Sequence, residues 1–304
     1  MRILIFRFLD TVKTALPELK ILLSEHMSRH TSFRIGGPAA VMVFPRSVEE
    51  LSKVRKILNE FRIAPLILGG GTNILAPDAG LDRVVICLKD ALDGLRLCEP
   101  SCVEAYAGVS MARTALFAKD AGLSGLEFSH GIPGTVGGGV YMNAGAYGGE
   151  LAQVTKSVTV MEKDGTVREI ICDENTFGYR TSIFEDTDLI ILKAVFALKP
   201  CSSEEIFATM QDLMERRKRS QPLELPSAGS TFKRPVGGFA AALIDEAGLK
   251  GYSVGGAAVS EKHAGFVVNL GNATSADVLA LVEQVKTIVQ ERSGVTLTPE
   301  IRIW

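Results

Sequence analysis

Two glycine-dense segments constrain this chain more than any other feature. The first, Leu68-Gly69-Gly70-Gly71-Thr72-Asn73, directly follows a short apolar run. The second runs from Gly131 to Gly149 and reads Gly-Ile-Pro-Gly-Thr-Val-Gly-Gly-Gly-Val-Tyr-Met-Asn-Ala-Gly-Ala-Tyr-Gly-Gly. Glycine inside a helix or strand costs roughly 0.5–1 kcal/mol relative to alanine, so neither segment favours long regular structure. Glycine does allow positive φ and close approach of a ligand, so that successive N–H groups can converge on phosphate oxygens. Neither cluster is a Rossmann GxGxxG, and no Walker GxxxxGK[ST] occurs. Two such clusters on separate lobes, with Thr72, Asn73, Thr135 and Asn143 as side-chain donors, predict a clamped pyrophosphate. The composition agrees: glycine is 30 of 304 residues, where about 7% is usual.

The remaining composition excludes several classes. Hydrophobic residues make up 46% and charged residues 22%, as in a globular protein rather than a disordered one. With 33 Lys+Arg against 35 Asp+Glu, the net charge of −2 argues against nucleic acid or an anionic membrane as partner. The five cysteines form no CxxC, and the four histidines lack zinc-ligand spacing, so no metal site is expected and a reducing cytoplasm fits. In MRILIFRFLD, Arg7 and Asp10 interrupt the apolar run, unlike a signal peptide. No apolar stretch approaches the ~18 residues of a membrane span.

The periodicity predicts alternating helices and strands, an α+β class. Residues 2–23 read as an amphipathic helix broken near Pro17. A strand over 39–44, a helix over 47–61 capped by Ser47, and strands over 66–68 and 84–88 follow. Further on come a strand over 103–107, a helix over 110–121, and strands over 154–162, 167–172 and 189–198. The last part holds a helix over 203–219, a loop over 221–229, a helix over 239–247, strands over 257–259 and 264–269, and a helix over 275–293 capped by Thr274 or Ser275.

Six ordered blocks carry a family resemblance: HTSFRIGGPA (30–39), LGGGTNIL (68–75), GIPGTVGGGVYMNAGAYGGE (131–150), FGYRTSIF (177–184), QPLELPSAGSTFKRP (221–235) and GGAAVSEKHAGFVVNLGNAT (255–274). On these, the sequence resembles the UDP-N-acetylenolpyruvoylglucosamine reductase family over nearly its whole length. The short interval between Arg180 and Ser230 is similar to the family's shorter type, which lacks an inserted tyrosine segment. The resemblance implies a two-lobe FAD-binding fold of the vanillyl-alcohol-oxidase/PCMH type with a C-terminal α+β substrate domain. The implied divisions are 1–97 (N-terminal helix and first FAD-binding lobe), 98–200 (second lobe) and 201–304 (substrate-binding domain). It further implies noncovalent FAD, NADPH as reductant, a nucleotide-sugar substrate, and a cytoplasmic enzyme of peptidoglycan precursor synthesis, with a monomer expected. The implied flavin residues are Gly69, Gly70, Gly71, Thr72, Asn73, Gly131, Ile132, Pro133, Gly134, Thr135, Gly137, Gly138, Asn143 and Gly145.

By the same resemblance, the catalytic residues are Arg180, Ser230 and Glu300. Reducing an enolpyruvyl group needs hydride at C3, a proton at C2, and stabilisation of charge developing at C2 and its carboxylate. A planar, always-charged guanidinium at Arg180 can hold that carboxylate bidentately. Ser230 matches the proton donor, which needs close placement because a hydroxyl is a weak acid. Glu300 matches a carboxylate that orients substrate or assists protonation. Tyr147, Tyr179, Lys218, Arg234 and His263 are the implied substrate contacts, although Arg234 stands where the family usually has Asn. The basic run 216–219 reads by itself as a solvated helix end, and His130, just before GIPGT, as a hydrogen-bonded structural histidine. Two rivals stay open on sequence: an FAD oxidase of the same fold, and a nucleotide-sugar binding module without redox chemistry. The absence of histidine in 69–73 argues against a flavin tethered there.

Overall fold

The computed structural model describes residues 2–89 and 91–304 and divides into two compact units. Unit one comprises Met1–Ser24, Ala40–Gly70 and Asp82–Glu215. Unit two comprises Glu25–Ala39, Gly71–Leu81 and Arg216–Trp304.

Unit one begins with a helix, Arg2–Ala15, which is shorter than the sequence predicts. Pro17 disfavours helical backbone at the residue before it, and Lys20–His26 instead joins a four-stranded sheet as its edge strand. Next in that sheet come Pro38–Phe44, Leu81–Cys87 and Leu66–Leu68. The last two run parallel, with Leu66 opposite Val85 and Leu68 opposite Cys87. The helix Val48–Glu60 between strands starts where Ser47 Oγ accepts the Glu50 amide at 3.1 Å, as expected from sequence. Its buried face (Leu51, Val54, Ile57, Leu58) packs with Phe8 and Val12 of the first helix into one core.

A five-stranded antiparallel sheet forms the other half of unit one, in the order Val167–Ile171, Thr155–Met161, Ile190–Ala197, Cys102–Tyr106 and Leu95–Glu99. The strand Leu95–Glu99 is absent from the sequence reading because its residues are partly exposed and do not alternate cleanly. Helices Met111–Asp120 and Val136–Tyr141 share a core with this sheet, in which Met111, Val136, Val140, Val158 and Phe196 are fully buried or nearly so.

Unit two is built on an antiparallel sheet ordered Ser227–Ser230, Phe266–Asn269, Ala257–Val259 and Ser253–Val254. Residues 227–229, the end of the loop that the sequence predicts over 221–229, thus form an edge strand together with Ser230. The long helix Ser275–Ser293 buries Val278, Leu281, Val282, Val285 and Val289 in the same core. Thr274 caps it reciprocally with Asp277, while Ser275 binds Asp78 instead. Among the described residues, no helix is long and apolar enough to cross a membrane.

Candidate active site

Gly69, in the part of the first glycine segment that belongs to unit one, meets the second segment there. A Cβ built on Gly69 would lie 2.5 Å from Thr135 Oγ1, so only glycine lets the end of the Leu66–Leu68 strand pass this close to the second segment. Thr135 is buried and caps the short helix Val136–Tyr141, its Oγ1 facing the Gly138 amide at 3.5 Å. Gly137 is equally constrained, since a Cβ there would stand 2.9 Å from that of Ala107. Among the described residues, the amides of Gly69, Gly70 and Gly71 donate to no protein group. Gly71 lies in unit two with φ +63°, and a side chain there would overlap the carbonyl of His30. Its own carbonyl accepts the Ser32 amide at 3.0 Å. Ser32 Oγ also reaches the Ser227 carbonyl at 2.6 Å. No local sequence pattern marks Ser32; only these two distant contacts give it significance.

Downstream of Thr135, the glycine segment folds into a hairpin pairing Gly145–Ala146 with Gly149–Glu150. Tyr147 (φ +55°) and Gly148 (φ +87°) form its two-residue turn, which leaves Tyr147 at the tip and exposed. Both central residues being left-handed is the arrangement of a type I′ turn. A second small hairpin, Phe177–Gly178 with Thr181–Ser182, turns through Tyr179 and Arg180. Arg180 has φ +54° and is tied to the first segment by two bonds. Its Nη2 donates to the Gly145 carbonyl at 2.6 Å, and its Nη1 to the Asn143 carbonyl at 3.3 Å. The guanidinium also lies 5.2 Å from the centre of the Tyr179 ring. Tyr147, Tyr179 and Arg180 thus occupy turns of hairpins that Arg180 itself connects.

In unit two, Ser230 and Glu300 belong to one backbone ladder. Ser230 pairs with Phe266, and the next residue, Thr231, donates its amide to Gly265 at 2.8 Å. The Thr231 carbonyl accepts the Glu300 amide at 2.8 Å, and Lys233 donates to the Thr298 carbonyl at 2.8 Å. Asn73 adds a cross-brace, its Nδ2 donating to the Glu300 carbonyl at 3.2 Å and its carbonyl accepting the Arg302 amide at 2.8 Å. His263 sits beside this ladder. Its Nδ1 accepts the Gly265 amide at 3.1 Å and its ring makes an edge contact with Phe266. Accepting through Nδ1 requires a neutral ring with the proton on Nε2, and burial pushes its pKa below the usual histidine value.

The remaining expectations fall as follows. Lys218 is exposed near the end of the helix Ser203–Ser220, and its carbonyl accepts Lys262 Nζ at 2.7 Å. Its neighbour Arg217 is buried, so the basic run is not the wholly solvated helix end that its composition suggests. Arg234 is exposed and stacks over the Phe239 ring at 4.3 Å. His130 departs from expectation: Nδ1 is buried with no hydrogen-bond partner among the described residues. The sequence predicts the side chains of Asn143 and Asn73 as ligand donors. Here they hold protein groups, the Gly178 carbonyl at 2.8 Å and the Glu300 carbonyl at 3.2 Å.

Comparison with known proteins agrees with this architecture. Residues 39–171 match the model of an FAD binding domain, and residues 221–304 the C-terminal domain of UDP-N-acetylenolpyruvoylglucosamine reductase. A curated UDP-N-acetylenolpyruvoylglucosamine reductase from Caldanaerobacter subterraneus is 46% identical, covering 97% of both chains. One from Lachnoclostridium phytofermentans is 43% identical, covering 97% of this chain and 96% of its own. The crystal structure of UDP-N-acetylenolpyruvylglucosamine reductase from Thermus caldophilus has a TM-score of 0.80 at 36% identity, covering 94% of this chain and 99% of that one. A berberine bridge enzyme variant shares the fold alone, with a TM-score of 0.50 at 14% identity over 64% of this chain and 44% of that one. The two-lobe FAD-binding fold with an added C-terminal domain, expected from the sequence, is therefore the fold observed. With near-complete coverage on both sides, this chain belongs to the UDP-N-acetylenolpyruvoylglucosamine reductase family of FAD-dependent oxidoreductases.

Proposed function

We propose that this protein reduces the enolpyruvyl double bond of UDP-N-acetylglucosamine enolpyruvate to give UDP-N-acetylmuramate, a step of peptidoglycan precursor synthesis, in the cytoplasm and as a monomer. NADPH is the electron source: one NADPH and one proton are consumed, hydride adds to C3, a proton adds to C2, and NADP+ leaves. The observation that carries this reading is the fixed guanidinium of Arg180, held on the carbonyls of Asn143 and Gly145 within the glycine-rich segment.

The residues present fit FAD. Among the described residues, the amides of Gly69, Gly70 and Gly71 in the first segment donate to no protein group, and the buried Nδ1 of His130 at the head of the second has no protein partner. Gly69, Gly70, Gly71, Thr72 and Asn73, with Gly131, Ile132, Pro133, Gly134, Thr135, Gly137, Gly138, Asn143 and Gly145, would hold it, chiefly through their backbone. No histidine lies in 69–73 to tether it. The chemistry that FAD supplies when bound is hydride transfer, from NADPH to C3 of the enolpyruvyl group.

Arg180 binds the substrate carboxylate and offsets the negative charge that develops on it. The Ser230 hydroxyl gives its proton to C2. Its edge strand is anchored on both sides, to Phe266 and, through Thr231, to Glu300. Glu300 orients the substrate beside it. His263 offers an Nε2–H donor to the nucleotide-sugar, Lys218 and Arg234 offer positive charge to the diphosphate, and Tyr147 and Tyr179 offer aromatic faces and hydroxyls. Residues 1–97 and 98–200 act as the flavin-binding lobes and 201–304 as the substrate-binding domain.

One anaerobic titration tests the proposal: record the visible spectrum, add NADPH, then add the enolpyruvyl nucleotide. A flavin band that bleaches and then returns is the expected result. A colourless protein, or a reduced flavin that only oxygen reoxidises, overturns it.

A further inference from the structure

We propose that Asn143 is a positioning residue for Arg180, joining the glycine-rich segment to the hairpin that presents the guanidinium. The proposal rests on the reading of Arg180 as the group that binds the substrate carboxylate. Asn143 is 1% exposed and has φ +48°, a left-handed conformation that asparagine tolerates better than most residues. Both ends of its side-chain amide are committed. Nδ2 donates to the Gly178 carbonyl at 2.8 Å, and Oδ1 accepts the Ala152 amide at 2.9 Å. Gly178 stands immediately before the Tyr179-Arg180 turn, and Arg180 Nη1 returns to the Asn143 carbonyl at 3.3 Å. The two residues therefore close a ring: the side chain of Asn143 fixes the base of the hairpin, and its backbone receives the tip.

The ring explains how a two-residue turn holds an arginine in place. An exposed arginine keeps most of its rotamer freedom. Here the guanidinium plane is set by two carbonyls, and the backbone beneath it by a third bond from a buried amide. Gly145 completes the arrangement, since a Cβ there would come within 3.1 Å of Arg180 Nη1. An aspartate at position 143 would keep the shape, the tolerance for positive φ and the acceptor for Ala152. It would replace the donor with a carboxylate oxygen set against the Gly178 carbonyl, and would bring a negative charge into the buried position.

The test is a double-mutant cycle on the holoenzyme with Asn143→Asp and Arg180→Lys, each followed through both half-reactions and flavin affinity. Asn143→Asp is expected to slow reoxidation by the enolpyruvyl nucleotide about 10- to 100-fold, as displacement of a catalytic group by about an ångström does. Asn143 also belongs to the proposed flavin-holding segment, so flavin affinity is measured on each variant and reoxidation rates are compared at full flavin occupancy. In the Arg180→Lys background the same change should cost little more, because its route of action is already gone. Losses that simply add, wild-type reoxidation in Asn143→Asp, or a large fall in flavin affinity with reoxidation preserved would each overturn the proposal. Wild-type reoxidation in Arg180→Lys would instead overturn the reading of Arg180 itself, and the single variants tell the two failures apart. If Asn143→Asp does not yield a flavoprotein, Asn143→Gly keeps the left-handed backbone and carries the same cycle.

Discussion

Gly69 and Thr135 pack so closely that a single methyl group on Gly69 would reach within 2.5 Å of the Thr135 hydroxyl oxygen. The first glycine is thus required by packing against the second segment, and the hydroxyl it meets is the cap of the helix Val136–Tyr141. Gly69→Ala should destabilise the protein by about 1–3 kcal/mol, in the range of overpacked cores, and lower flavin occupancy. Adding Thr135→Ala removes the clashing oxygen at the expense of a helix cap. The double variant should therefore lose less than the two single losses combined, as measured by denaturant unfolding.

Ser230→Ala separates the two halves of the proposed reaction. NADPH should still bleach the flavin at close to the wild-type rate, whereas reoxidation by the enolpyruvyl nucleotide should fall at least 100-fold, the usual scale of a lost general acid. Stopped-flow absorbance of the flavin band reads both phases. Equal, undiminished rates would clear Ser230 of a role.

Asp78 performs a structural task that no sequence motif announces. Its carboxylate accepts the Ser275 amide at 2.8 Å, the Ser275 hydroxyl at 2.7 Å and the Ala276 amide at 3.2 Å, all at the start of the long helix Ser275–Ser293. Burial alone would raise its pKa, but these bonds outweigh it and hold the carboxyl below the usual aspartate value. Asp78→Ala should cost about 1 kcal/mol, as for the loss of a helix cap, read as a lower urea midpoint. The lowered pKa means the unfolded chain takes up the proton first. This contribution is therefore complete above the unfolded aspartate range near pH 4 and is lost as the pH falls through the folded value.

His263 gives a second pH dependence in a higher window. Burial depresses its pKa, and Nδ1 must be unprotonated to accept the Gly265 amide. Its stabilising contribution should be complete above about pH 6.5, the unfolded histidine value, and be lost as the pH drops through the lower folded value. Between pH 7.5 and 5.5, wild type should lose more thermal stability than His263→Gln, as followed by circular dichroism. Equal losses in the two proteins would remove His263 as the cause.

Much of the backbone is legible from local residue patterns. Ser47, Ser110 and Thr274 each cap the helix that follows, because a hydroxyl can reach an N–H three residues on whatever the rest of the chain does. Lys163-Asp164-Gly165 is a local Asp-Gly turn pattern, and it joins the strands Thr155–Met161 and Val167–Ile171 with Gly165 at φ +82° and its amide on the Glu162 carbonyl at 3.1 Å. The strand Lys20–His26 was illegible for the opposite reason: its apolar residues suit a helix or a strand, and only an available sheet edge settles the choice.

By itself, then, the sequence determined that two glycine segments would be irregular, closely packed backbone, and that their blocks belong to one flavoenzyme family. Only the tertiary structure decided what the asparagines in and beside them do. Asn143 and Asn73 are donors in any reading, but their partners are carbonyls of Gly178 and Glu300, far away along the chain. A hydrogen bond needs its partner within about 3 Å, and which distant carbonyl arrives there depends on strand order and register. Local sequence specifies the donor, and the fold chooses the acceptor.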